Sequence, residues 1–307
     1  MTWPNFLLIG AAKAGTSSVF AYLGQHPEVF VSPVKEPNYF ALAGQRVDYA
    51  GPGDMIVNRA SITDEHRYRA LFRGAAGAKA LGEASTLYLY APNTAAAIRR
   101  DAPEARIIAI LRDPAERAYS SFLHMRRDGR ESVESFERAL ELEETRIGER
   151  WEHLWHYTKL GLYHAQLERY LALFPREQIG VWLYDDLEAE PGRVLREVFE
   201  FLGVDPTFEP DMSVRHKVAG TPRSKTLHAI LTQPNPVKSM AKRLLPAGVR
   251  SRAYGAMMHR NVREHRENMR ADTRQRLEAL FRPDIERLEH LLERDLSTWS
   301  GRRRAAR

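Results

Sequence analysis

Between Phe6 and Leu23 the chain passes from an apolar run, Phe6-Leu7-Leu8-Ile9, through the small-residue turn Gly10-Ala11-Ala12-Lys13-Ala14-Gly15 and into Thr16-Ser17-Ser18 at the head of an amphipathic stretch. This passage constrains the fold more than any other. A strand that hands its backbone to a helix through so short a turn predicts a parallel sheet with helices on its faces, the strand ending at Gly10 and the helix starting near Thr16. Successive N–H groups of such a turn converge on one point, and the helix dipole adds partial positive charge there. The backbone of Ala12, Lys13, Ala14, Gly15, Thr16 and Ser17 is therefore the expected seat of an anion.

The separation of Gly10 and Gly15 matches that of the nucleotide-triphosphatase P-loop, G-x-x-x-x-G-K-[ST], but the residue after Gly15 is Thr16 and the lysine has moved to Lys13. Magnesium-assisted phosphoryl transfer needs its lysine at the helix start with a hydroxyl beside it, so this departure favours a related, metal-free chemistry. A second anion site is expected further on. Arg106-Ile107-Ile108-Ala109-Ile110-Leu111 has the continuous apolar character of a strand buried on both faces, and Arg112-Asp113-Pro114 follows it. Asp113 is a good N-cap, Pro114 suits the first helical position and Glu116 stands where a capping box wants an acid. Arg112 then lies at the carboxyl edge of the sheet, with Ser120 about two helical turns on, near enough to share a phosphate with the guanidinium.

Lys13-Ala14-Gly15-Thr16-Ser17 resembles K-x-G-T-[ST], the 5′-phosphosulfate loop of sulfotransferases that use 3′-phosphoadenosine 5′-phosphosulfate (PAPS). Arg112 to Ser120 is similar to R-[DN]-P-x-x-R-x-x-S of the same family, which implies that Arg112 and Ser120 hold the 3′-phosphate. Lys35-Glu36-Pro37-Asn38-Tyr39-Phe40 resembles the K-E-P-x-x-F of carbohydrate-type and bacterial members; by that resemblance Glu36 is the base and Phe40 lies on the acceptor side. Gly82 to Tyr88 resembles G-E-x-[ST]-x-x-Y, which implies an acceptor wall of Glu83, Ser85 and Tyr88. It departs at Ala84, where some heparan-sulfate enzymes carry lysine. Tyr184-Asp185-Asp186-Leu187 resembles the family's Y-[ED]-D-L, in which the tyrosine reaches the adenine. The loop His216 to Ser224 looks like the one that closes over the nucleotide, implying contacts from Lys217, Gly220, Thr221 and Arg223. His124, one turn beyond Ser120, is the reserve base. The resemblance runs from Phe6 to about Trp299. It implies PAPS as donor, 3′,5′-adenosine bisphosphate as product, no required metal, and a small-molecule or glycan acceptor, with sugar and lipid hydroxyls both open.

With 307 residues, 43% of them hydrophobic, the chain can bury one large core, and no Ser/Gly/Pro-rich linker interrupts it. The expected fold is therefore a single α/β, P-loop-like domain over 1–307, with strands near residues 6, 29, 106 and 179 in a central parallel sheet flanked by helices. Gly192 to Leu202 reads as a helix closed by Gly203. A helical carboxyl-terminal region follows, Arg270 to Trp299, whose apolar stripe should cover the sheet. The net charge of +6 suits an anionic donor; basic residues alternate with acidic ones and show no nucleic-acid reader, so no nucleic-acid partner is expected. The absence of cysteine excludes disulfides and thiolate chemistry. His153 and His156 read as packing rather than as metal ligands. The segment 236–268 is basic and amphipathic, and reads as a lid or packing element in preference to a membrane-surface helix. The chain enters its first strand at once and has no run of membrane-span length, so a cytoplasmic enzyme is expected. Oligomeric state is open. A P-loop kinase-like phosphotransferase and a non-catalytic nucleotide-binding module are the alternative readings.

Overall fold

The computed structural model describes residues 2–213, 221–222, 262–263 and 269–301. Its centre is a five-stranded sheet in the order β2-β3-β1-β4-β5, with β1 Phe6–Gly10, β2 Val29–Val31, β3 Ala80–Ala84, β4 Arg106–Leu111 and β5 Ile179–Leu183. Every pairing is parallel. All residues of β1 and β3 are buried, as are those of β4 after Arg106, and each such Leu or Ile contributes about 1.5–3 kcal/mol through the water it sheds. Because the strands are parallel, the turns leaving all five emerge at one edge. From β1 the chain first crosses to β2 and β3 on one side, then to β4 and β5 on the other. The carboxyl ends of β1 and β4 thus flank the topological switch point, where open α/β sheets bind ligands.

β3 escapes the periodicity of the sequence. Ala80-Leu81-Gly82-Glu83-Ala84 is short and carries a carboxylate, yet it is wholly buried between β1 and β2. Gly82 is required by close approach: a Cβ there would meet the carbonyl oxygen of Phe6 at 2.3 Å.

Helices follow each strand as expected. Thr16–Leu23 begins one residue after Gly15, Pro114–Arg127 follows β4, and Pro191–Leu202 ends at Gly203 with φ +72°. Tyr163–Leu171 precedes β5. The carboxyl-terminal region is one helix, Ala271–Leu292, which buries Leu277, Phe281, Ile285 and Leu288. It packs mainly on the helices Tyr163–Leu171 and Pro114–Arg127 and so forms an outer layer, where direct cover of the sheet was the expectation. Among the described residues no helix is long and apolar enough to cross a membrane. Of 236–268, only Val262–Arg263 is described, as an antiparallel partner of Thr221–Pro222; the rest lies outside the described residues.

Beside the sheet, a polar network is buried where residues 48–61 meet 130–157. Arg130 joins the carboxylates of Asp54 and Glu152, the latter at 3.0 Å. Glu152 accepts from the Leu154 amide, and Asp54 accepts from the Glu152 amide and the Trp155 indole. His156 accepts from Tyr90 and reaches the Trp151 carbonyl, and burial, followed by the neighbouring His153, pushes it down to about 4. Among the described residues no group of side chains has the arrangement of a metal site.

Burial works to raise the Glu152 carboxyl, but His153 and Arg130 outweigh it and bring it down to about 2. A folded-state value below that of the unfolded chain means stability present above about pH 4.5 and lost as pH falls toward 2. We therefore expect Glu152→Gln to lower the urea midpoint at pH 6, and the gap from the unaltered protein to shrink steadily between pH 4.5 and pH 2.

Candidate active site

The turn after β1 is a hand of amides. Ala11 continues the ladder by donating to the Ile110 carbonyl at 2.7 Å, Ala14 donates to Ala11, and Ser18 and Val19 both donate to Gly15. Among the described residues the amides of Ala12, Gly15, Thr16 and Ser17 find no protein acceptor. Lys13 has φ +70° and Gly15 φ +84°, left-handed conformations that fold the turn back so that these amides converge. The first turn of Thr16–Leu23 adds its dipole.

Arg112 closes the hand from the next strand. Its Nη1 donates to the Lys13 carbonyl at 3.2 Å, and its guanidinium lies over the Tyr184 ring, 4.7 Å from the centroid. Tyr163 donates to the Arg112 carbonyl at 3.0 Å. Tyr184 also packs on the cradle: a Cβ on Gly15 would meet its ring at 3.1 Å. Lys13, Gly15, Arg112 and Tyr184, which leave three different strands, therefore form one cluster. Asp113 caps its helix by accepting from the amides of Ala115 and Glu116. Its other partner is Arg274 at 2.5 Å, so Arg112 is left to the cradle. Burial pushes the Asp113 carboxyl up to about 6, against the pull of Arg274. Glu116 departs from the expected capping box: it pairs with Arg274 and lies 3.8 Å from Arg112.

Glu36 stands at the same edge, after β2. One carboxylate oxygen accepts from the Thr86 amide at 2.7 Å and the other from Lys35 at 2.5 Å, while the Thr86 hydroxyl lies 3.3 Å from both. The side chain is half-buried, with φ +61°. Ser120 is buried on the Arg112 helix. His124 takes a hydrogen bond from Arg127 at 2.6 Å and lies 3.6 Å from Asp128. Burial works to raise the Asp128 carboxyl, but His124, Arg127 and Lys13 together hold it below the usual range, which puts His124 and the lysine in one field.

Phe40, Glu83, Ser85 and Tyr88, expected on the acceptor side, lie in the interior beside the Glu36 loop. Each is buried. Phe40 packs against Trp3, Tyr68 and Tyr88, and the three polar residues bond to one another behind the Glu36 loop. They present to the edge the loop they hold, not their own side chains. Thr221 belongs to the short strand beside the Arg112 helix. Lys217, Gly220 and Arg223 lie outside the described residues. Sequence reasoning missed Thr86, Tyr163 and Arg274. Only Thr86 carried a signal, as the residue following a strand-terminal Ser in a motif already singled out.

A family model described as "Sulfotransferase domain" matches residues 4–291. A crystal structure of a sulfotransferase from Alicyclobacillus acidocaldarius is 36% identical, covers 97% of this chain and 99% of its own, and superposes with a TM-score of 0.77. Carbohydrate sulfotransferase 15 of Mus musculus is 25% identical over 73% of this chain and 47% of its own length. Bifunctional heparan sulfate N-deacetylase/N-sulfotransferase 3 of Homo sapiens is 29% identical over 67% of this chain and 23% of its own. The chain thus spans about half the length, or less, of these curated relatives.

Gly15→Ala should expose the packing of the cradle. At φ +84° a side chain is strained, and its Cβ would press on Leu187 and Tyr184 at 3.0–3.1 Å. We expect a loss of about 1–3 kcal/mol in urea unfolding, together with at least about tenfold weaker binding of inorganic pyrophosphate in calorimetry as the converged amides shift.

Proposed function

The chain belongs to the sulfotransferase family, and from that premise we propose that it moves the sulfuryl group of PAPS to a hydroxyl of a sugar, lipid or other small-molecule acceptor, with Glu36 as the base. The observation that carries the reading is the meeting, at one switch point, of a cradle whose Ala12, Gly15, Thr16 and Ser17 amides find no acceptor among the described residues and an arginine bonded to the cradle's own backbone. Two anion sites on neighbouring strands suit a nucleotide that carries charge at its 5′ and 3′ ends. The donor fits the residues present: the amides of Ala12, Gly15, Thr16 and Ser17 would take its 5′-phosphosulfate, Arg112 and Ser120 its 3′-phosphate, and Tyr184 would contact its adenine. The two curated relatives carry carbohydrate and heparan sulfate in their names, which favours a glycan among the acceptors.

The donor supplies a sulfuryl group on a good leaving phosphate; the chain supplies position, a base and a cation. As the acceptor oxygen bonds to sulfur, its proton passes to the Glu36 carboxylate, and the bond from sulfur to the bridging oxygen breaks with the electron pair left on the 5′-phosphate. Negative charge grows on that bridging oxygen. Lys13 and the amides of Gly15 to Ser17 meet it with donors already in place, so little reorganisation is needed as the bond breaks. Thr86 holds Glu36 by its amide, fixing one carboxylate oxygen while the other, paired with Lys35, is the one a substrate hydroxyl would approach. His124, engaged with Arg127, stays in reserve.

Three substitutions separate these roles in a transfer assay with labelled PAPS and no magnesium. Lys13→Ala should lower kcat by about 10²–10³ and Glu36→Gln by about 10²–10⁴, each leaving the Kd for 3′,5′-adenosine bisphosphate within a few-fold. Arg112→Ala should weaken that Kd by about 10–100-fold. Full turnover in Glu36→Gln would move the base elsewhere, and turnover that required magnesium and ATP would overturn the reading.

A further inference from the structure

Glu36 and Asn38 are non-glycine residues held at φ +61° and +56°, two left-handed conformations within one short loop. Each costs about 1 kcal/mol or more and persists only where the surroundings over-determine it. The surroundings here are a hydrogen-bonded rail running alongside. The Glu36 amide donates to the Ala84 carbonyl at 2.8 Å, the Asn38 amide to the Ser85 hydroxyl at 3.0 Å, and the Phe40 amide to the Tyr88 hydroxyl at 3.3 Å.

A hydroxyl can accept from an amide while donating its own hydrogen elsewhere, and the direction of that hydrogen decides which lone pairs face the loop. Ser85 donates to Glu83 at 2.8 Å, Tyr68 donates to the other Glu83 oxygen at 3.2 Å, and Tyr88 is bonded to the same carboxylate. Glu83 is fully buried in β3. An ionised carboxylate only accepts, so it turns every one of these hydrogens inward and leaves the oxygens of Ser85 and Tyr88 free to receive the loop amides.

We propose that Glu83 is a positioning residue: its buried carboxylate sets the donor direction of Ser85 and Tyr88, and through their hydroxyls it locks the backbone that presents Glu36 at the sheet edge. The catalytic importance of that lock rests on the reading of Glu36 as base; the lock itself does not. The groups facing Glu83 are Tyr68, Tyr88, Tyr170 and Glu36. Burial pushes its carboxyl up to about 7, with the charge of Glu36 adding and the hydroxyls of Tyr88, Ser85 and Tyr68 opposing. Above that pH the lock is set. Below it, Glu83 carries a hydrogen that one of the hydroxyls must accept, and the chain of donors is broken.

The test is residue-resolved amide hydrogen exchange on the full chain, which needs no turnover. Glu83→Gln should speed exchange at both Asn38 and Phe40 by at least tenfold, Ser85→Ala mainly at Asn38, and Tyr88→Phe mainly at Phe40, while Ser18 and Val19 keep their protection. The ratio between Glu83→Gln and the unaltered protein should shrink as pH is lowered through 7. In the transfer assay Glu83→Gln should lose kcat at least tenfold with the Kd for 3′,5′-adenosine bisphosphate changed by less than twofold. Unaltered exchange at Asn38 and Phe40, or an equal rise throughout the chain, overturns the proposal. If Glu83→Gln fails to fold, the split between Ser85→Ala and Tyr88→Phe decides. Inactivity of the unaltered chain with PAPS would sink the functional reading and leave the exchange pattern intact.

Discussion

Parallel pairing of β1 with β4 is the constraint from which the site follows. It brings the two carboxyl ends side by side, so that a guanidinium leaving β4 can bond to the carbonyl of Lys13 in the turn leaving β1. That one hydrogen bond couples the turn after β1 to the carboxyl end of β4. It also holds the Lys13 carbonyl turned toward Arg112. A turn of this kind accumulates positive potential, and a ligand with two separated anionic groups is the natural complement.

Glu36 sits in the opposite situation. It is a carboxylate near a field suited to anions, and a bound donor would repel its charge. The structure meets this with fixed partners. Lys35 and the Thr86 amide stabilise the charge, and the backbone is held in a conformation it would not choose alone. Strain here has a recognisable source of compensation, since three amides of the loop are each matched to an acceptor on the segment 84–88.

How much of this could be read from sequence depends on whether the signal is local. The cradle, the Asp113 cap, the strand before Arg112 and the Gly203 stop are all decided by neighbours within a few residues, and each was legible. β3 was not, because Gly82 and Glu83 look like loop residues until the carbonyl of Phe6 and the tyrosines behind the sheet are in place. Glu83, Ser85 and Tyr88, read as acceptor-side residues, lie buried behind the Glu36 loop. Motif spacing shows which residues travel together; it does not show which side of a buried loop they occupy. Arg274 was invisible for a similar reason, lying 161 residues from Asp113.

That distant arginine ties the outermost helix to the centre of the site. Arg274 binds Asp113, Glu116 and Glu278 at once, so the helix Ala271–Leu292 grips the amino-terminal turn of the helix that carries Ser120. Arg112, next to Asp113 in the chain, makes its own contacts elsewhere, to the Lys13 carbonyl and over the Tyr184 ring. Burial makes the distinction strong: Asp113 is poorly hydrated, and a carboxylate there needs a cation close by. By satisfying Asp113 from the outer layer, the fold leaves Arg112 its bond to Lys13 and its place over Tyr184. On the proposed function, the carboxyl-terminal helix would act on donor binding through Asp113, by deciding which of two adjacent charges stays available.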